Sequence, residues 1–244
     1  MNKFKYLLIE GIDASGKTTL AKALVTRLQD YFGAGKVMPT AFPNRATPIG
    51  YLIRDSFDGK VSINTNTMWW LLLAEAVEMD PVIENQLAHG YWVVSDRHVQ
   101  ISSRIYQEPI YGAATINTVI KAARLRKPDR IYILDVPAEV ALERRTKRGE
   151  ARNERYEPDE VDGVIAQRRA YNFVADQDET AIRLDGTKSI EHNLDVIWAD
   201  LGLPEGAATI KYRRGEVDGR NGHPPAEVTE QYLEGYSDGI EKSK

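Results

Sequence analysis

Eight residues, Gly11-Ile12-Asp13-Ala14-Ser15-Gly16-Lys17-Thr18, fit the pattern G-x-x-x-x-G-K-[ST] in full. Their flanks fit as well. Phe4–Ile9 reads as a buried strand, and Lys17–Tyr31 as a helix with Leu20, Leu24 and Leu28 on one face. Glycines let the backbone fold closely around a phosphate and aim several N–H groups at its oxygens. The helix that follows presents the positive end of its dipole to that anion. In this setting Lys17 reaches the β/γ oxygens and the Thr18 hydroxyl can ligate Mg²⁺. Gly11, Asp13, Ala14, Ser15, Gly16, Lys17, Thr18 and Thr19 are the expected ATP-binding run. The motif fixes nucleoside-triphosphate chemistry and leaves the acceptor open.

The rest of the chain supports the same architecture. Further strands are predicted at Val37–Thr40, Tyr91–Ser95, Arg130–Leu134 and Ala181–Leu184. Helices are predicted at Pro48–Phe57, Met68–His89, Ala113–Arg126, from Pro137, at Asp159–Asp176 and at Ser189–Leu201. Alternating strands and helices imply an α/β fold: a five-stranded parallel sheet covered on both faces, the P-loop NTPase three-layer sandwich. With 244 residues there is room for one core of good size. The formal charge of −4 gives no sign of a duplex-binding face, so nucleic acid is not the expected partner. The absence of cysteine excludes disulfides and thiolate metal sites and suits a cytoplasmic protein. No apolar run approaches the ~18 residues a membrane helix needs, and Leu7–Ile9 is too short for a signal peptide. Residues 204–244 are rich in Gly, Pro, Glu and Lys and read as a C-terminal extension to a 1–203 kinase unit. Val228, Tyr232 and Tyr236 could make a short amphipathic helix there, either a surface tail or a partner contact.

Three more clusters bear on the acceptor. Asp96-Arg97-His98 follows the strand Tyr91–Ser95, with Ser102, Ser103, Tyr106 and Gln107 beyond it. Ligands bind at the carboxyl ends of parallel strands, where an acid can hold a metal-bound water or orient an arginine. Phe42-Pro43-Asn44-Arg45 follows the second strand, and Arg45 can fork onto a phosphate. Arg144, Arg145, Lys147, Arg148, Arg152 and Arg155 crowd into one segment. Beside a P-loop this reads as a lid that closes on phosphates; the alternative is a P-loop ATPase or nucleic-acid-binding protein using residues 144–155.

Glu10-Gly11-Ile12-Asp13 with Gly16-Lys17-Thr18-Thr19 resembles the opening of the thymidylate kinase family. Phe42-Pro43-x-Arg45, Asp96-Arg97-His98, Lys127-Pro128-Asp129, Glu154-Arg155-Tyr156-Glu157 and Asp185-Gly186-Thr187-Lys188 follow in the family order. The resemblance spans about residues 3–201 and is nearer the eukaryotic and viral branch. It implies an ATP- and Mg²⁺-dependent kinase that converts dTMP or a related deoxynucleoside monophosphate to the diphosphate, and a homodimer. Asp13 would meet the sugar 3′-hydroxyl, and Arg45 and Arg97 the acceptor phosphate. Asp96 would sit by the metal, and Phe42, Ser102, Tyr106, Gln107 and Tyr156 by the nucleoside. Arg144 and Lys188 would lie near the donor adenine. Because Ala14 stands where some relatives have a basic residue, Arg148 or Arg152 would bring the missing charge from the lid.

The resemblance breaks at the base. The family stacks a phenylalanine on thymine and places an arginine four residues later; those positions hold Leu72 and Ala76. There is also one extra residue between Asp96 and Tyr106. One of the neighbouring tryptophans, Trp69 or Trp70, could stack on a base instead, and Glu75 could accept a hydrogen bond from a base donor. These positions leave thymine open as the acceptor base and admit a modified pyrimidine or another deoxynucleotide beside it.

Overall fold

A computed structural model describes residues 5–148 and 161–204. The strands are β1 (Tyr6–Glu10), β2 (Val37–Ala41), β3 (Trp92–Asp96), β4 (Arg130–Asp135) and β5 (Ala181–Asp185). They form one parallel sheet in the order β2-β3-β1-β4-β5. Side chains alternate across a strand, so β1 feeds both layers. Leu7 and Ile9 pack with Leu20, Leu24 and Leu28 of α1 (Lys17–Phe32) and with Leu194, Ile197 and Trp198 of α9 (Ile190–Asp200). Leu8 packs on the other face with Ile101 and Ile105 of α4 (Val99–Tyr106), Ala141 of α7 (Ala138–Arg148), and Val164 and Tyr171 of α8 (Val161–Gln177).

The other helices are α2 (Pro48–Phe57), α3 (Thr65–Ala88), α5 (Glu108–Tyr111) and α6 (Ala113–Ala123). Thr47 and Asn64 cap α2 and α3 by accepting the N–H groups of Gly50 and Thr67. The predicted elements recur with ends shifted by a few residues, except for α4 and α5, which sequence patterning did not bring out. No helix of the described residues is long and apolar enough to cross a membrane. Residues 154–157 and 205–244, and so the expected Glu-Arg-Tyr-Glu landmark and the Val228 helix, lie outside the described residues.

Strand register builds the site. Ile9 of β1 pairs with Asp96 of β3, and Ala41 of β2 pairs with the same residue. The three loops that leave these strands, carrying Gly11, Phe42 and Arg97, therefore start side by side.

Candidate active site

The loop from Gly11 to Gly16 folds as its composition requires. Gly11 has φ 148°, and a Cβ there would come within 2.7 Å of the Leu134 carbonyl. Lys17 begins α1 but its ammonium turns back onto the loop, donating to Asp13 Oδ1 at 3.0 Å and to the Ile12 carbonyl at 3.3 Å. Burial and the Arg97 charge pull the Lys17 ammonium down, while Asp13 and Asp96 oppose them. Thr18 and Thr19 are exposed at the mouth. The Thr18 hydroxyl donates to Asp96 Oδ2 at 2.6 Å, and Asp96 Oδ1 is buried with no partner among the described residues.

Arg97 ties the end of β3 to the P-loop. Its backbone is left-handed, φ 74°, a conformation that costs roughly 1–3 kcal/mol in a non-glycine residue and marks functional sites. One arm of its guanidinium donates to Asp13 Oδ1, the other to the Tyr171 hydroxyl at 2.9 Å and the Tyr106 hydroxyl at 3.4 Å. Burial would push the Asp13 carboxyl up, but Arg97 and Lys17 outweigh it and hold the group well below the usual range. Behind this pair sits Glu10, fully buried, accepting from the His98 N–H at 2.9 Å and the Tyr171 hydroxyl at 3.2 Å. Burial pushes Glu10 up to about 7 despite Arg97, 3.9 Å away.

On the donor side, Arg144 donates to the carbonyls of Ser15 at 3.0 Å and Gly186 at 2.9 Å. That bridge needs Gly186, where a Cβ would run into Val136. Lys188 is exposed nearby. The Arg148 side chain, Arg152 and Tyr156 lie outside the described residues.

The phosphate-binding loop, the acid at the end of β3 and the arginine beside it match the pattern of a known family. The thymidylate kinase profile matches residues 9–197. A thymidylate kinase of Danio rerio is 31% identical over 188 residues, which cover 76% of this chain and 84% of that protein. The chain belongs to the thymidylate kinase family. A crystal structure of thymidylate kinase from Ehrlichia chaffeensis shares the fold: TM-score 0.63, 18% identity, 82% of this chain and 98% of that one. As a thymidylate kinase family member it is a nucleoside monophosphate kinase, with ATP as the phosphoryl donor and a deoxynucleoside monophosphate as the acceptor.

The residues expected at the acceptor differ in their surroundings. Phe42 is buried with Ala76, Val99 and Leu125, and Leu72 packs against them. Ser102 is half-buried beside buried Ser103. Gln107 is buried, and its Oε1 has no partner among the described residues. Arg45 is half-exposed and pairs with Asp58 at 2.7 Å and Asp55 at 3.7 Å rather than with the P-loop. Trp69 corrects a sequence expectation. Its ring is buried, stacked on Tyr111 at 4.7 Å and tilted against Trp70 at 5.0 Å, and its N–H donates to Ser103. With its ring engaged by those neighbours, it is a wall of the core and does not offer itself to a base.

Three residues were missed by sequence reading. Arg54 of α2 donates through Nε to the Pro43 carbonyl at 2.9 Å. Burial pulls it down, and it lies in the fields of Asp96, Arg45, Arg97 and Glu75. Tyr171 completes the Arg97 cage. Arg168 forks onto Asp135 at 2.6 and 2.8 Å, fixing α8 against the end of β4. Only Tyr171 had a sequence signal, as an aromatic on a helix following the basic segment.

Proposed function

We propose that this thymidylate kinase family member phosphorylates a deoxynucleoside monophosphate whose base is not plain thymine, with Mg²⁺ bound beside ATP. The observation that carries this is the contrast between two halves of the acceptor site. The phosphate half holds Lys17 and Arg97 on one carboxylate of the P-loop, with Arg54 close by. The base half holds apolar Leu72 and Ala76 where the family reads thymine.

Phosphoryl transfer asks little covalent work of a protein; alignment and well-placed cations dominate. The acceptor phosphate is already an anionic nucleophile, so no base is required. Lys17, on leaving Asp13, meets the β/γ oxygens of the donor. Arg97, and Arg45 on leaving Asp58 and Asp55, hold the acceptor phosphate in line, joined by Arg54. Asp13 faces the sugar 3′-hydroxyl, while Tyr106, Gln107 and Ser102 line the nucleoside. Arg144 and Lys188 border the adenine, and Arg148 or Arg152 closes from the lid and excludes water. Thr18 Oγ1, 2.6 Å from Asp96, and the unpartnered Asp96 Oδ1 are hard oxygen donors that suit Mg²⁺. Held there, the ion would supply neutralisation of the donor phosphate charge.

The kinase unit is taken as residues 1–203, with 204–244 as an extension. A homodimer through the outer faces of α2 and α3 is favoured by the exposed Tyr51, Trp70 and Val77. A cytoplasmic location suits nucleotide substrates. Nucleic-acid binding through residues 144–155 is disfavoured, because Arg144 is committed to the Ser15 and Gly186 carbonyls.

A coupled assay for ADP across a panel of monophosphates tests this. ADP release should require a deoxynucleoside monophosphate. Turnover of dTMP equal to the best acceptor would refute the altered-base part, and no acceptor-dependent ADP at all would refute the kinase assignment.

A further inference from the structure

Glu75 is completely buried on α3, facing the loop that follows β2. Its Oε1 accepts the Asn44 N–H at 2.7 Å. Its Oε2 is sealed from solvent and has no hydrogen-bond partner among the described residues. The charged groups acting on it are Arg54 from α2, which forms no ion pair with it among the described residues, and Glu78 one turn further along α3. A buried carboxyl oxygen without a donor is unfavourable, and native structures seldom keep one without a use. Apart from Glu78, the α3 side chains close to Glu75 are apolar or already engaged. Leu72, Leu73 and Ala76 pack on Phe42 and Val99, and the Trp69 N–H is committed to Ser103.

We propose that the Glu75 carboxylate reads the acceptor base and selects one with an exocyclic amino group, cytosine or a 5-substituted cytosine, over thymine. This rests on the monophosphate-kinase reading above and names its substrate class. An ionised carboxylate can only accept. Cytosine presents a 4-amino donor, whereas thymine presents the O4 acceptor at the same place. One acceptor in an apolar wall therefore discriminates twice, by a bond to the right base and by repulsion of the wrong one. Leu72 and Ala76 supply no donor for O4. Burial pushes the Glu75 carboxyl up to about 7. Below that pH its O–H can donate to O4, so discrimination against thymine weakens as the carboxyl protonates.

The test is steady-state phosphorylation of dCMP, 5-methyl-dCMP, dUMP and dTMP by the full chain at pH 8 and pH 6, repeated with Glu75→Gln and Glu75→Asp. The wild type should favour the amino-bearing acceptors by about tenfold or more in kcat/KM at pH 8, and by less at pH 6. Glu75→Gln, whose amide can turn its NH₂ toward O4, should shift the dCMP:dTMP ratio toward dTMP by about tenfold. Glu75→Asp should keep the order of preference. A carboxylate that merely tethers Asn44 would lower all acceptors in proportion and leave the ratio unchanged. That outcome, or a wild type that prefers dTMP at pH 8, overturns the inference and leaves the kinase assignment standing. No ADP with any monophosphate from the folded wild type overturns both. The wild-type ratio needs no variant, so poor folding of Glu75→Gln does not rescue the idea.

Discussion

Arg97, at the end of β3, donates directly to Asp13 inside the P-loop, joining the loop after β3 to the loop after β1 through one carboxylate oxygen. That oxygen also receives Lys17 at 3.0 Å. Arg97 holds the position with a left-handed backbone and with both arms of its fork engaged. A lysine has one point charge and cannot bridge Asp13 and Tyr171 together. Both Arg97→Lys and Arg97→Ala should lower kcat/KM for the monophosphate by about 10²–10³-fold. The KM for ATP should change far less. Initial rates with each substrate varied in turn check this, and near-normal acceptor kinetics in Arg97→Ala would remove the residue from the mechanism.

Lys17 is buried and engaged with Asp13, within the loop whose glycines fold around a phosphate. Lys17→Ala should reduce turnover on the order of 10³-fold or more, because no other P-loop side chain carries positive charge. The fold should survive, since Arg97 still neutralises Asp13. Circular dichroism beside the coupled assay separates lost chemistry from lost structure. Substantial activity in the variant would mean that the lid arginines carry the donor phosphates.

The Thr18 hydroxyl and Asp96 carboxylate meet at 2.6 Å at the open end of the loop. Thr18→Val keeps the shape and removes the oxygen. The Mg²⁺ concentration for half-maximal rate should rise about tenfold or more. Asp96→Asn should show the same direction. A magnesium titration at saturating ATP reads both; an unchanged midpoint in both variants would place the ion elsewhere.

The parts legible in the sequence were those fixed by local chemistry. Gly11 to Thr18 declares its shape because few other residues fit it, and β1, β3 and β4 are apolar runs too short to be helices. The α4 helix was not legible. Its buried residues, Val99, Ile101, Ser103 and Ile105, fall at every second position, so no 3.6-residue stripe stands out. Its N-cap, His98, is an uncommon capping residue. Trp69 and Trp70 looked equivalent as neighbours, and only the packing of Tyr111 decides that Trp69 goes inside. Arg54 reads as an ordinary polar-face residue; its approach to the acceptor site depends on where the Phe42–Pro43 turn puts a carbonyl.

Burial raises Glu10 from the usual 4.5 to about 7. A raised carboxyl binds its proton more tightly folded than unfolded. Stability is then fully present below the unfolded value near 4.5 and falls as pH rises toward 7, by at most about 1.4 kcal/mol per pH unit for one group. Glu10→Gln removes this group from the titration. Between pH 5 and pH 8 the wild type should therefore lose stability relative to Glu10→Gln, as read from urea midpoints at each pH. Parallel curves for the two proteins would mean that Glu10 keeps an ordinary titration in the fold.

On α3, Trp70, Ala74, Val77 and Pro81 recur at steps of four, three and four residues, and all are exposed. They form an apolar seam on a helix whose opposite side is already packed, with exposed Tyr51 and Leu52 on the adjoining α2. An apolar seam of this kind beside a polar surface marks an association site. A second copy is the occupant proposed above, since the family resemblance implies a homodimer. In such a pairing the seam meets its own symmetry mate, so one introduced charge appears twice and faces itself. Val77→Glu should convert the proposed dimer to a folded monomer, because the side chain is solvent-facing within one chain and costs little there. Light scattering coupled to gel filtration gives the mass directly, and thermal unfolding shows whether the separated chain remains cooperative. A wild type that runs as a monomer at tens of micromolar, or a Val77→Glu variant that remains dimeric, would move the interface off α3.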